Sequence, residues 1–140
     1  DGKMQVAPII CYESIYSDYV TEYVRKGANL LFIITNDGWW QDTPGYKQHF
    51  AFARIRAIEN RRSIARSANT GISGFIDQKG DVISKTEWWK PDAISATINA
   101  NNSETLFTKF PYLIGVIAVI STFILLLLTT VQLWRKKSAK

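Results

Sequence analysis

The feature that most constrains this sequence is an uncharged, apolar segment at residues 112–134. At a rise of about 1.5 Å per residue, a helix of this length is roughly 34 Å long, which is enough to cross a hydrocarbon core of about 30 Å. A soluble core helix of that length should show a polar stripe, whereas this segment has no charged residue. It therefore predicts one transmembrane helix, with Tyr112 and Trp134 as interfacial aromatic residues.

The charges that flank this segment predict its orientation. Arg135, Lys136 and Lys137 follow it directly, whereas Lys109 is the one basic residue close to its other end. By the positive-inside rule, residues 135–140 form a basic cytoplasmic tail. The residues before the span then lie on the periplasmic side of a bacterial inner membrane.

Composition excludes several classes of protein. The chain has 17 basic and 12 acidic residues, but residues 1–134 hold 13 basic against 12 acidic. A nucleic-acid-binding domain carries its basic excess on the folded body, so we expect no nucleic-acid partner. The single cysteine has no partner for an intramolecular disulfide, and one cysteine with one histidine gives too few ligands for a zinc site. We therefore expect no metal and no cofactor.

The apolar periodicity predicts an α/β arrangement with a partly antiparallel sheet. Buried strands are predicted at 6–10 and 30–35, and helices at 14–26 and 47–60. Shorter strands are predicted at 63–68, 72–76, 82–85 and 93–98, with a hairpin turn at 77–80. A polar linker over 99–111 leads to the apolar segment.

Cys11 is the first candidate for chemistry, because it ends a predicted strand and precedes a predicted helix. A tight turn there exposes the sulfur, and a helix N-terminus favours the reactive thiolate. Most single cysteines are small buried hydrophobes, so position alone leaves both interpretations open. Glu13 either orients a partner of the thiol or complements the helix dipole.

Other polar residues have structural as well as functional interpretations. Asn36, Asp37 and Trp39 follow a buried strand, where α/β proteins often place their sites, but the same residues suit a turn. His49 has the chemistry of a general base, although a structural histidine is the simpler interpretation. Five arginines could face lipid phosphates, but for most of them a solvated helix face with local ion pairs to Glu59 is the expected position: Arg54, Arg56, Arg61, Arg62 and Arg66.

Five segments together resemble the nitrilase superfamily. They are Ile-Cys-Tyr-Glu at 10–13, Thr-Asn-Asp-Gly-Trp-Trp at 35–40, Gln-His-Phe at 48–50, Ala-Arg-Ile-Arg-Ala-Ile-Glu-Asn at 53–60 and Arg-Ser-Ala-Asn-Thr-Gly-Ile-Ser at 66–73. Their order, followed by an apolar span and a basic tail, is similar to the apolipoprotein N-acyltransferase branch. The resemblance implies the C-terminal part of a nitrilase-like α-β-β-α sandwich over residues 1–98, followed by the linker and one transmembrane helix.

The resemblance also implies a chemistry. Cys11 would be the nucleophile that takes an acyl group from a phospholipid as a thioester. It would pass the group to the diacylglyceryl-cysteine amine of an apolipoprotein. The backbone N–H of Tyr12 would donate to the oxyanion, Glu13 would support the site, and Trp39 and Trp40 would bind the substrate's acyl chains.

The family's catalytic set also contains a Glu general base and a Lys, both well ahead of the nucleophile. Only ten residues precede Cys11, so we expect both groups to lie outside this chain and the chain alone to be inactive. Two alternatives stay open. One is a membrane-tethered nitrilase-type amidohydrolase, in which water accepts the acyl group. The other is a non-catalytic, membrane-anchored binding module in which Cys11 is a core residue.

Overall fold

A computed structural model describes residues 3–138 of the chain. It divides into two compact units, the first ending at Lys109 and the second beginning at Phe110. In the described part of the first unit, one sheet contains, in spatial order, β1 (Val6–Ile10), β2 (Leu30–Asn36), β3 (Ser63–Asn69), β4 (Gly74–Ile76) and β5 (Val82–Lys85). The first three strands are parallel, and β4 and β5 are added antiparallel. The predicted mixed sheet is therefore confirmed.

Helices cover one face of this sheet. They are α1 (Ser17–Arg25) and α2 (Pro44–Asn60), with a short α3 (Leu106–Lys109) inside the predicted linker. The side chains that the sheet buries against α1 and α2 include Ala7, Ile9, Leu31, Ile33 and Ile64. Alternate residues such as Phe32 and Ile34 point the other way and are exposed, as the period of two in a strand requires.

α2 begins three residues earlier than the predicted 47–60. The Thr43 side chain accepts a hydrogen bond from the Gly45 N–H, and Pro44 occupies the first helical turn. Proline is favoured there because its missing N–H would have had no helical partner. Phe50 and Ala53 face the core, whereas Ile58 is exposed.

The predicted helix at 14–26 is split in two. Residues Cys11–Ile15 form a 3-10 turn, Tyr16 is extended, and α1 starts only at Ser17. The Ser14 hydroxyl donates to the Cys11 carbonyl at 2.8 Å. Because that bond commits Ser14 to the tight turn after β1, the regular helix starts later.

The last predicted strands need correction as well. β4 starts at Gly74 rather than 72, since the Ile72 carbonyl accepts from the Arg66 side chain. Residues 93–98 form no strand. Their half-buried and exposed side chains alternate as in a strand. The residue that follows, Asn99, is bound by side chains instead of a neighbouring strand: Ser63 Oγ and Gln78 Nε2 both donate to its carbonyl.

The second unit is dominated by α4 (Leu113–Ser138), a helix of 26 residues. By length and composition it is apolar enough to cross a membrane. It extends beyond the predicted 112–134 into the predicted tail, of which residues 139–140 lie outside the described part of the chain.

Two substitutions at left-handed positions should change stability in opposite directions. Gly27, which follows α1, has φ +105°, and Arg61, which follows α2, has φ +50°. An L side chain is strained in this region and glycine is not. We expect Gly27→Ala to lower the free energy of unfolding of the first unit and Arg61→Gly to raise it, each by about 0.5–1 kcal/mol. The midpoint of urea unfolding measures both changes. Shifts of the same sign would contradict this backbone assignment.

Candidate active site

The candidate site lies where the parallel strands end. Ile10 pairs with Ile34 in the β1–β2 register, so the next residues, Cys11 and Thr35, are neighbours. The hydroxyl of Thr35 lies 3.2 Å from the Cys11 sulfur. The carboxyl edge of a parallel sheet thus holds the predicted nucleophile, as the sequence indicated.

Cys11 has a left-handed backbone, with φ +52°. For a residue other than glycine this conformation costs about 1–2 kcal/mol, so the surroundings must impose it. The Cys11 carbonyl accepts from Ser14 Oγ at 2.8 Å and lies 3.3 Å from His49 Nε2. The Ser14 hydroxyl thus holds the peptide that links Cys11 to Tyr12, and the His49 ring lies against it.

His49 belongs to a buried polar network rather than to plain packing. Its Nδ1 lies 2.8 Å from Asp37 Oδ1, and its Nε2 lies 3.0 Å from Ser14 Oγ. An ionised carboxylate only accepts hydrogen bonds, so Nδ1 carries the proton toward Asp37. The ring therefore connects Asp37 to the turn that carries Cys11.

Asp37 is the centre of this network. Its other oxygen accepts from Arg66 Nη2 at 2.7 Å, and both side chains are 0% exposed. Burial alone would raise the pKa of the Asp37 carboxyl. Hydrogen bonds from His49 and Arg66, together with the Arg66 charge, outweigh burial and hold that pKa below its usual value. Asp37 is therefore a buried anion fixed by two donors.

The chain makes room for this ion pair. A Cβ at Gly71 would lie 2.6 Å from Asp37 Oδ2, so only glycine lets the backbone pass this close. The Arg66 guanidinium also lies 5.6 Å from the centroid of the Phe50 ring and donates to the Ile72 carbonyl. Residues from β3, α2 and the loop after β3 thus enclose one charge pair.

Glu13 stabilises the turn itself. One carboxylate oxygen accepts from the Ile10 N–H at 2.7 Å, and the other accepts from the Tyr19 hydroxyl at 3.1 Å. Tyr12 lies in the 3-10 turn, whose first N–H groups have no partner within the turn. Glu13 therefore fixes the end of β1 beside the Tyr12 amide.

The two tryptophans differ in environment. Trp39 is 85% exposed, whereas Trp40 packs against the core and stacks on Tyr12, with ring centroids 6.5 Å apart. Both belong to a 3-10 turn directly after Asp37. An exposed aromatic ring thus lies close to the turn that carries Cys11.

The predicted solvated arginine face is wrong for three of its members. Arg56, Arg62 and Arg66 are buried, although Arg56 does pair with Glu59. Arg66 lies two residues after Ile64 on β3, on the same buried face. Within residues 3–138, no cluster of three or more His, Cys, Asp and Glu side chains is arranged to hold a metal ion.

Comparison with known proteins gives consistent matches. The carbon-nitrogen hydrolase family model matches residues 1–106. The chain is 43% identical over 115 residues to the apolipoprotein N-acyltransferase of Chlorobaculum tepidum, covering 81% of this chain and 22% of that protein. It is 36% identical over 129 residues to the apolipoprotein N-acyltransferase of Rhizobium rhizogenes, covering 86% and 24%. The chain thus spans less than a quarter of the length of these relatives.

A solved structure shows the same fold. The carbon-nitrogen hydrolase from Helicobacter pylori G27 superposes with a TM-score of 0.57 at 14% sequence identity. The match covers 62% of this chain and 37% of that one. The five strands and their helices therefore follow a nitrilase-like arrangement.

Replacing Asp37 by asparagine should destabilise the protein in a pH-dependent way. Its lowered pKa means that the stabilisation from Asp37 is complete above the ordinary pKa of an aspartate, about 3.9, and is lost as the pH falls through the lower pKa in the folded protein. Since Arg66 would be left unpaired, we expect a loss of about 3–5 kcal/mol near neutral pH. The difference between wild type and Asp37→Asn in the free energy of unfolding, measured with urea, should become smaller at about pH 3. Asp42→Asn, at an exposed position, is the control. If the difference in unfolding free energy between wild type and Asp37→Asn did not change with pH, Asp37 would not be the buried anion described here.

Glycine and alanine at position 11 should reverse their usual order of stability. At an ordinary position alanine is more stable than glycine, but at φ +52° its Cβ is strained. We expect Cys11→Gly to be about 0.5–1 kcal/mol more stable than Cys11→Ala. Neither variant has a sulfur, so urea unfolding of the pair measures backbone strain alone. A more stable alanine variant would show that Cys11 is unstrained.

Proposed function

The chain belongs to the carbon-nitrogen hydrolase family, and we propose that it supplies the nucleophile of an apolipoprotein N-acyltransferase. The enzyme would move a fatty acyl group from a phospholipid to the N-terminal diacylglyceryl-cysteine of an apolipoprotein, the last step of lipoprotein maturation. Relatives at 43% and 36% identity that carry this name support the proposal.

The observation that carries the proposal is the conformation of Cys11. Cys11 is a strained residue at the end of a parallel strand, and its carbonyl is held by the Ser14 hydroxyl beside a buried histidine; packing alone does not require this geometry. Its side chain is half-buried rather than enclosed. A core cysteine would need neither the strain nor the network.

In the first half-reaction, the Cys11 thiolate attacks the ester carbonyl of the phospholipid. A C–S bond forms and the carbonyl oxygen becomes an oxyanion, which the Tyr12 N–H would stabilise. The C–O bond then breaks, and the lysophospholipid leaves after taking a proton. The family's Glu general base and Lys would move that proton.

In the second half-reaction, the free amine of the diacylglyceryl-cysteine attacks the thioester. A C–N bond forms through a second oxyanion, the amine loses a proton to the general base, and the C–S bond breaks to return the thiolate. Glu13 and the Asp37 network act by holding the turn in place, so that the same N–H serves both oxyanions.

Exposed aromatic side chains suit a lipid substrate. We propose that Trp39 contacts acyl chains, with Trp40 and the ring of Tyr12 behind it. We further propose that α4 crosses the inner membrane with Arg135 and the following lysines in the cytoplasm. The nucleophile would then act on the periplasmic side.

The direct test is to trap the acyl-enzyme. The full-length protein is incubated with phospholipid, and the thioester is located by mass spectrometry, with Cys11→Ala as control. We expect an acyl group on Cys11, absent from the control and discharged by a diacylglyceryl-cysteine peptide.

Two other outcomes would contradict the proposal. An acyl group discharged by water and not by the peptide would identify an amidohydrolase-type enzyme. No adduct on a folded protein would make Cys11 a core residue of a binding module.

A further inference from the structure

Thr35 is the side chain nearest the sulfur that the proposed reaction leaves without a role. Its Oγ1 lies 3.2 Å from Cys11 Sγ and 3.1 Å from Asp37 Oδ1, and the residue is buried. A hydroxyl carries one proton, so Thr35 donates to one of these two acceptors at a time.

Asp37 does not depend on that proton. His49 already donates to one of its oxygens at 2.8 Å and Arg66 to the other at 2.7 Å. Within residues 3–138, Thr35 is the group that donates a hydrogen bond to the sulfur. A charge-assisted hydrogen bond to a thiolate is stronger than one to a thiol, so ionisation of Cys11 draws the proton of Thr35 toward it.

We propose that Thr35 is a positioning residue that stabilises the Cys11 thiolate. The inference rests on the proposed function, in which that thiolate is the nucleophile. In the thiol form, Cys11 S–H donates to Thr35 Oγ1, and Thr35 donates to Asp37. When the general base removes the sulfur proton, the Thr35 hydroxyl rotates and donates to the thiolate. On acylation it returns to Asp37.

Five other charged or titratable groups lie around this pair. They are Asp37, His49, Arg66, Tyr12 and Glu13. Arg66 is neutralised by Asp37, and the Glu13 oxygens are occupied by Ile10 N–H and the Tyr19 hydroxyl. Replacing Thr35 by valine therefore removes a hydroxyl and leaves these charges in place.

The test is the pH profile of Cys11 alkylation in the full-length protein. Iodoacetamide is the probe, and mass spectrometry follows the peptide that contains Cys11. For Thr35→Val we expect the alkylation midpoint to rise by about one to two pH units, with alkylation about ten- to a hundredfold slower below the midpoint. At high pH, where the thiolate is complete in both proteins, the rates should converge. Thr35→Ser keeps the hydroxyl and should restore the wild-type profile.

Thr21→Val is the matched control. Thr21 is fully buried on α1, and its hydroxyl has no hydrogen-bond partner within the described residues. Its profile should match wild type.

Three results would overturn the inference: a Thr35→Val profile that superimposes on wild type, a loss of equal size at every pH, or no rescue by serine. Alkylation needs no lipid, so a Thr35-dependent profile without an acyl-enzyme would reject the proposed function alone.

Discussion

The buried carboxylate of Asp37 is the group on which the rest of the site depends. An isolated ion inside a protein is costly, and it is tolerated here because Arg66 and His49 both donate to it. These donors come from β3 and α2, so the charge fixes three separate parts of the chain against one another. A buried ion pair of this kind adds little net stability, but it permits few alternative arrangements.

The conformation of Cys11 depends on the hydrogen-bond network around Asp37. His49 reaches from Asp37 to the turn after β1, where Ser14 and the imidazole meet the Cys11 carbonyl. Thr35 connects the same carboxylate to the sulfur. One buried anion thus controls the backbone of the nucleophile through one path and its side chain through another. The exposed turn with Trp39 begins beside it, where a substrate has access.

Much of the fold follows from local patterns. The strands β1 and β2 are apolar runs with clear ends, and two of the five family segments, 10–13 and 35–40, begin at these ends. The prediction was wrong where long-range bonds outweigh local preference. Ser14 has the periodicity of a helix but bonds to Cys11, and residues 93–98 alternate like a strand without forming one.

Only part of the candidate site could be predicted from the sequence. Cys11, Tyr12, Glu13 and Trp39 were predicted from their motifs, and their roles stay predictions. The network behind them was missed because its members are distant in sequence and each has a simpler interpretation alone. The available signal was spacing: Thr35 follows Ile33 and Arg66 follows Ile64 by two residues, on buried strand faces.

The central claim is that the network imposes the strained backbone of Cys11. The most direct measurement compares glycine with alanine at position 11 in a Ser14→Ala, His49→Asn background. Asparagine keeps a donor for Asp37 and removes the group that reaches the Cys11 carbonyl. With the turn released, the account predicts that alanine becomes the more stable residue by about 0.5–1 kcal/mol, as at an ordinary position. If glycine stays as favoured as in the intact network, the strain has another source and the account is wrong.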